Sequence, residues 1–310
     1  MDRSTDVYRP LVDLYGPAHP PVVRNGLCYP VAIMPSAAQS VAGLVRFSDT
    51  EAAVDSELLR GGKPHRKDLA RRHRIHDGVV VVSTEISGEI IYAQRSGYFA
   101  MLATSDALRA EFMSGRPERP LRARAHVLAG DPGPLISGRG RAAAVGVSVV
   151  VTVRGRRNRG FLLGRRRLDL AMDGNEWQLA PSGMVEPANP GDVIVESVRR
   201  ELAEELSIAV GTAELTERLR PLGLAIDLLR LRPEVCVRFD AADEEIDTLS
   251  LELAADEFNT ARVVGMSPQD MNSVWSELGP PNLTPAAAGA MALLEHSEGF
   301  DMATGPTSRG

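Results

Sequence analysis

Residues 142–153, AAAVGVSVVVTV, are a long β-branched run of the kind a buried strand requires, and a strand of that kind needs packed layers around it. RGRRNRG then turns the chain, and FLLGRRRLDL runs back as a second strand. Residues 174–192 read as a loop with at most one short strand. A helix opens at about residue 193 and ends near Ser207. One or two strands are expected within 219–241 and another within 249–258. Two helices follow, SPQDMNSVWSEL and TPAAAGAMALLEH, with Pro268 and Pro285 where a first turn accepts proline.

The part before residue 142 has a different texture. Its first thirty residues contain five prolines and read as an irregular arm. Segments 37–48 and 56–62 are expected as short helices, and 78–93 as a hairpin of two β-branched runs separated by Ser-Gly. SDALRAEFM at 105–113 reads as a helix capped by Ser105. GDPGPLISGRGR, residues 130–141, is rich in Gly and Pro and is the expected domain boundary.

Composition narrows the function classes. The chain has 310 residues, 44% apolar and 25% charged, and no apolar run near membrane-span length. The N-terminus has no apolar signal segment, so a cytoplasmic protein with no membrane partner is expected. A net charge of −6 argues against stable nucleic-acid binding, which relies on a basic surface. Cys28 and Cys236 lie far apart, which excludes a zinc ribbon and favours buried thiols over a disulfide.

The stretch RRELAEELSI, residues 199–208, concentrates charge on a helix. At ~100° per residue, Glu201, Glu204 and Glu205 share one arc, beside an apolar stripe of Val195, Val198, Leu202 and Leu206. An amphipathic helix with a solvated acidic face would show the same pattern. The approach to the helix favours another reading. An extended segment and a Pro-Ser-Gly turn lead directly to the helix start, where Asp192 is placed to cap the first turn. Gly183 permits a close bend that presents a main-chain carbonyl toward the acids. Clustered carboxylates beside bound phosphates suit a hard divalent cation such as Mg²⁺.

These residues resemble the Nudix hydrolase motif, G-x5-E-x7-R-E-U-x-E-E-x-G-U, where U is bulky and aliphatic. Arg200, Glu201, Leu202, Glu204, Glu205 and Ile208 match its second half; seven residues separate Asp192 from Arg200, which puts Asp192 in the place of the first glutamate. Gly183 matches the opening glycine, and Trp177 and Pro181 fit the lead-in. There are three departures: eight residues instead of five separate Gly183 from Asp192, Asp replaces Glu, and Ser207 replaces the late glycine.

The resemblance implies an α+β fold, a Nudix α/β/α sandwich with a mixed sheet over 142–297. A smaller α+β N-terminal domain over 1–141 and a disordered tail over 298–310 would flank it. It further implies hydrolysis of a diphosphate linkage in a nucleoside diphosphate-X or similar organic diphosphate, with Mg²⁺ or Mn²⁺ as cofactor. Glu201, Glu204, Glu205 and the Gly183 carbonyl would be the metal ligands. Arg200 would orient a glutamate, and Glu204 or Glu205 would be the first choice of base, with Asp256 and Glu257 as loop candidates. Arg165 and Arg167 in the RRR run are candidate phosphate contacts, against a bland reading as solvated surface. Trp177 is expected to pack in the core rather than stack on a base. Three roles are open to the N-terminal part: pocket cover, dimerisation (giving a homodimer), or a degenerate second copy of the fold, with the first two favoured equally. The alternative is a non-catalytic Nudix-like nucleotide-binding regulatory module.

Overall fold

The computed structural model describes residues 7–16, 19–115, 118–131, 133–154, 159–188, 192–242 and 257–300. In chain order, α1 (Arg9–Tyr15), β1 (Pro21–Arg24), β2 (Leu27–Pro35), β3 (Val45–Glu51) and α2 (Ser56–Arg72) precede the hairpin β4 (Val79–Ser87) and β5 (Ile90–Gly97). A helical stretch follows: α3 (Tyr98–Met101), a π-helical turn over Leu102–Asp106, α4 (Ala107–Met113), then α5 (Pro120–Ala129). Next come β6 (Ala143–Ala144), β7 (Gly146–Arg154), β8 (Arg159–Arg166), β9 (Trp177–Leu179) and β10 (Ser182–Met184). Helices α6 (Val193–Leu206) and α7 (Thr212–Arg218) lead to β11 (Leu219–Asp227), β12 (Arg232–Asp240) and β13 (Phe258–Gly265). Two helices, Pro268–Glu277 and Pro285–Ser297, close the described chain.

The strands form a mixed sheet in the order β1-β2-β11-β12-β7-β8-β13, parallel only at β12–β7, and a second sheet in the order β3-β5-β4-β6. β7 is buried as its sequence requires. Val147, Val149, Val151 and Val153 enter one core, and Val150 enters another. On the first face lies α6, whose Val195, Val198, Leu202 and Leu206 are buried as the expected apolar stripe. Each such side chain contributes roughly 1.5–3 kcal/mol on removal from water. On the other face, the helix Pro285–Ser297 buries a run of small residues. A side chain at Gly289 would collide with Ala225 of β11, so this helix lies close to the sheet.

The sheet splits where the site forms. β7 pairs with β8 only from Thr152 to Arg154; at its other end it pairs with β10, while β9 pairs with β8. The segment Trp177–Met184 therefore threads the gap between the two strands. Its two short strands exceed the single one expected, because each borrows hydrogen bonds from a different neighbour.

Residues before 142 depart from expectation in several places. Residues 21–35 are two strands rather than an irregular arm, and β2 pairs antiparallel with β11, inside the main sheet. Segment 37–48 does not become a helix. Val45 is buried, Arg46 exposed and Phe47 half-buried, a period of two that places β3 beside β5. The helix expected at 56–62 runs on to Arg72, capped by Asp55, whose carboxylate accepts from Glu57 and Leu58 main-chain N–H groups. Ser105 is no cap: it lies in the π-helical turn and donates to the Ala142 carbonyl at 3.1 Å. The strand expected at 249–258 lies outside the described residues except at its end, where Phe258 begins β13. The tail beyond residue 300 also lies outside them.

Candidate active site

Helix α6 is built to aim its carboxylates at β10. Asp192 Oδ1 accepts from the N–H groups of Ile194 and Val195 at 2.9 and 3.2 Å, and Oδ2 accepts from the Gly43 N–H at 2.8 Å. Ser207 takes the left-handed conformation at the helix end (φ 56°), so the missing glycine still leaves the usual exit. With both ends fixed, Glu201 and Glu205 turn inward and are 7% and 4% exposed, while the Glu204 side chain is 65% exposed.

Gly183 receives Glu201. A Cβ there would collide with the Glu201 carboxylate, so only glycine lets the acid lie against the strand backbone. The neighbouring Ser182 N–H donates to Glu205, whose Oε2 is buried with no partner. Arg200 holds the arrangement from the side. It donates to the Met184 carbonyl at 3.0 Å and to Glu201 Oε1 at 2.8 Å, pairs with Glu186 at 2.7 Å, and lies 3.9 Å from Glu204.

The carboxyls carry an electrostatic load. Burial, followed by the charges of Glu257 and Glu201, pushes Glu205 well above the usual carboxylate range. Burial also raises Glu201, against the opposing hydrogen bond from Arg200. Among the described residues, no three His, Cys, Asp or Glu side chains converge as a ready-made ligand group. The donors nevertheless fit a hard cation: they are all oxygen, one buried oxygen is unsatisfied, and adjacent carboxylates lack a full countercharge. Glu201, Glu205 and the Gly183 carbonyl could hold such an ion, with exposed Glu204 beside them.

These residues open onto a cleft of about 270 Å³ lined by Gly183, Arg200, Glu201 and Glu204 at one end. Arg166 and Glu257 also line it, 3.4 Å apart as an ion pair. Of the three consecutive arginines, then, the middle one reaches the cleft. Arg165 donates weakly to the Asn175 carbonyl at 3.5 Å, and Arg167 pairs with Asp169 at 2.8 Å. The alternation of β8 separates Arg166 from its neighbours, a signal that a strict period-two reading of the sequence contains. Of the late acids, Glu257 stands beside the cluster, and Asp256 lies outside the described residues. Trp177 is half-buried against the second core, with Arg262 4.9 Å over its ring.

Sequence reasoning missed the opposite wall. There Arg230, only 1% exposed, pairs with Asp227 at 3.0 Å, Asp173 at 2.7 Å and Asp106 of the π-helical turn at 2.7 Å. Arg109 of α4 adds pairs to Asp173 and Glu176. Arg232, Glu234 and Gln178 also line this wall. The available signal was the period-two spacing of Arg232, Glu234 and buried Cys236 on β12.

Residues 143–282 match the family model of the NUDIX domain. That match gives just under half of the chain as similar to a NUDIX domain. Among solved structures, it is 20% identical to a MutT/nudix family protein from Enterococcus faecalis (TM-score 0.31; 39% of this chain and 43% of that one). A MutT protein from Methanosarcina mazei Go1 is 19% identical (TM-score 0.34; 50% and 94%), and a NUDIX hydrolase from Alicyclobacillus acidocaldarius 14% (TM-score 0.37; 53% and 98%). The chain thus spans less than half the length of the Enterococcus protein. No curated protein matches the chain. Among the described residues, no helix is long and apolar enough to cross a membrane.

Proposed function

We propose that this protein hydrolyses a diphosphate linkage in a nucleoside diphosphate-X or related organic diphosphate with the help of Mg²⁺ or Mn²⁺. The observation carrying this reading is the convergence of Glu201 and Glu205 on the Gly183 turn, in a cleft that also holds arginines. When bound, the cation neutralises the diphosphate and favours ionisation of water. Glu201 and Glu205 are assigned to holding it with the Gly183 carbonyl. Arg200 is a positioning residue, fixing Glu201 relative to β10. Glu204, exposed at the cleft, is the base that takes the proton from the attacking water, a role requiring access that buried Glu205 lacks. Arg166 draws the substrate's phosphate oxygens to the cleft, the part first sought in Arg165 and Arg167. The segment 98–113 is assigned to bracing the far wall through Asp106 and Arg109.

The test is product release across a diphosphate panel, with and without Mg²⁺, for wild type and Glu204→Gln. Metal-dependent turnover that falls 10²- to 10⁴-fold in the variant supports the hydrolase. A ligand that raises Tm with no turnover in any metal would replace it with a nucleotide-binding module.

A further inference from the structure

The wall opposite the acids is polar and unfinished. Gln178 of β9 is 7% exposed, and its Nε2 has no hydrogen-bond partner. Arg232 has buried, unpartnered Nε and Nη1 atoms. Glu234, 5% exposed, accepts from Ser148 Oγ at 2.6 Å through Oε1. Its Oε2 lies against Gly146, where any Cβ would displace it. All three side chains line the cleft. Register places Glu234 one strand beyond the acid end: Met184 faces Gly146 on β7, and Gly146 faces Glu234 on β12, while Gln178 lies on β9 opposite Gly164 of β8. Buried donors without partners are costly, so their persistence on a cleft wall indicates atoms a ligand satisfies.

We propose that Gln178, Arg232 and Glu234 form a subsite for a hydroxyl-bearing group, a ribose or other sugar, attached to the diphosphate; this rests on the function proposed above. The chemistry selects that group. Gln178 and Arg232 offer donors and Glu234 an acceptor, and a hydroxyl both accepts and donates through a single atom. A further phosphate offers only acceptors and would meet the Glu234 carboxyl, with Asp173 and Asp227 nearby. A nucleobase would want an aromatic platform, and among the described residues lining the cleft there is no aromatic ring.

The experiment compares ADP-ribose with isopentenyl diphosphate, which lacks hydroxyls, on the full-length protein. Binding is measured by calorimetry without divalent metal, and turnover with Mg²⁺. Wild type is expected to bind ADP-ribose at least tenfold more tightly. Gln178→Leu and Glu234→Gln are each expected to erase that preference by about ten- to a hundredfold, through KM rather than kcat, while leaving isopentenyl diphosphate unchanged. Thermal melting of each variant shows that it is folded. Should one variant not fold, the other, with Arg232→Met, carries the comparison. Equal wild-type affinity for the two probes, or variants that weaken both alike, overturns the subsite. A preference that holds and is lost in the variants, with no turnover under any metal, keeps the subsite and sinks the hydrolase. Turnover with unaffected variants does the reverse.

Discussion

At Gly183 the missing side chain is what allows the Glu201 carboxylate to lie on the β10 backbone, and Arg200 then clamps it there. Gly183→Ala is therefore expected to push Glu201 outward and lower kcat/KM by roughly 10²-fold, because small misplacements at a reacting centre are that costly. A steady-state assay at several Mg²⁺ concentrations checks this, and an unchanged metal requirement would refute it. Glu234 makes a different prediction. Burial, opposed by Arg232, raises its carboxyl from 4.5 to about 7. The folded state thus holds a proton that the unfolded chain releases near 4.5, so stability declines as pH rises from about 4.5 through about 7. Glu234→Gln removes that penalty. Its stability relative to wild type should be about 3 kcal/mol better at pH 8 than at pH 4. Denaturant melts of the two proteins at both pH values would show no such divergence if the carboxyl titrates normally.

Among the elements, α6 was the most legible in the sequence, and for reasons that can be stated. A 3.6-residue apolar period, a capping Asp and a charged arc all depend on neighbours within one helix, so spacing alone reports them. Asp192→Ala should cost about 1–2 kcal/mol as a lost cap. It also removes the acceptor of the Gly43 N–H, so the loss should fall toward the upper end in thermal unfolding. A change of a few tenths would mean that the cap contributes little. The opposite wall of the cleft was illegible for the complementary reason. Gln178, Arg232 and Glu234 come from β9 and β12, which meet only through the pairing of β7 with its neighbours, and no local pattern joins them. The segment 37–48 failed as a helix because its small residues suit one, whereas β5 offers Val45 and Phe47 a partner strand. The RRR run needed the register of β8 before Arg166 could be told from Arg165 and Arg167.

For the molecule as a whole, the buried arginine at residue 230 ties distant parts together: the turn before β12, the loop holding Asp173, and the π-helical turn at Asp106. Its charge, with the His65 hydrogen bond, holds the Asp106 carboxyl below the usual range despite burial. Arg230→Met would strand these acids and is expected to cost about 3–5 kcal/mol. Urea titration measures it, and a loss below about 1 kcal/mol would show that the acids find other partners. The β2–β11 pairing couples equally remote segments: Pro35 lies opposite Gly223, a partner 188 residues later in the chain. At roughly 5–20 residues per second, synthesis delivers that partner about 10–40 s after β2 has been made. During that interval β2 has only β1 beside it, and the edge that β11 will cover stays unpaired. The order of translation thus leaves one edge of β2 open until β11 has been made.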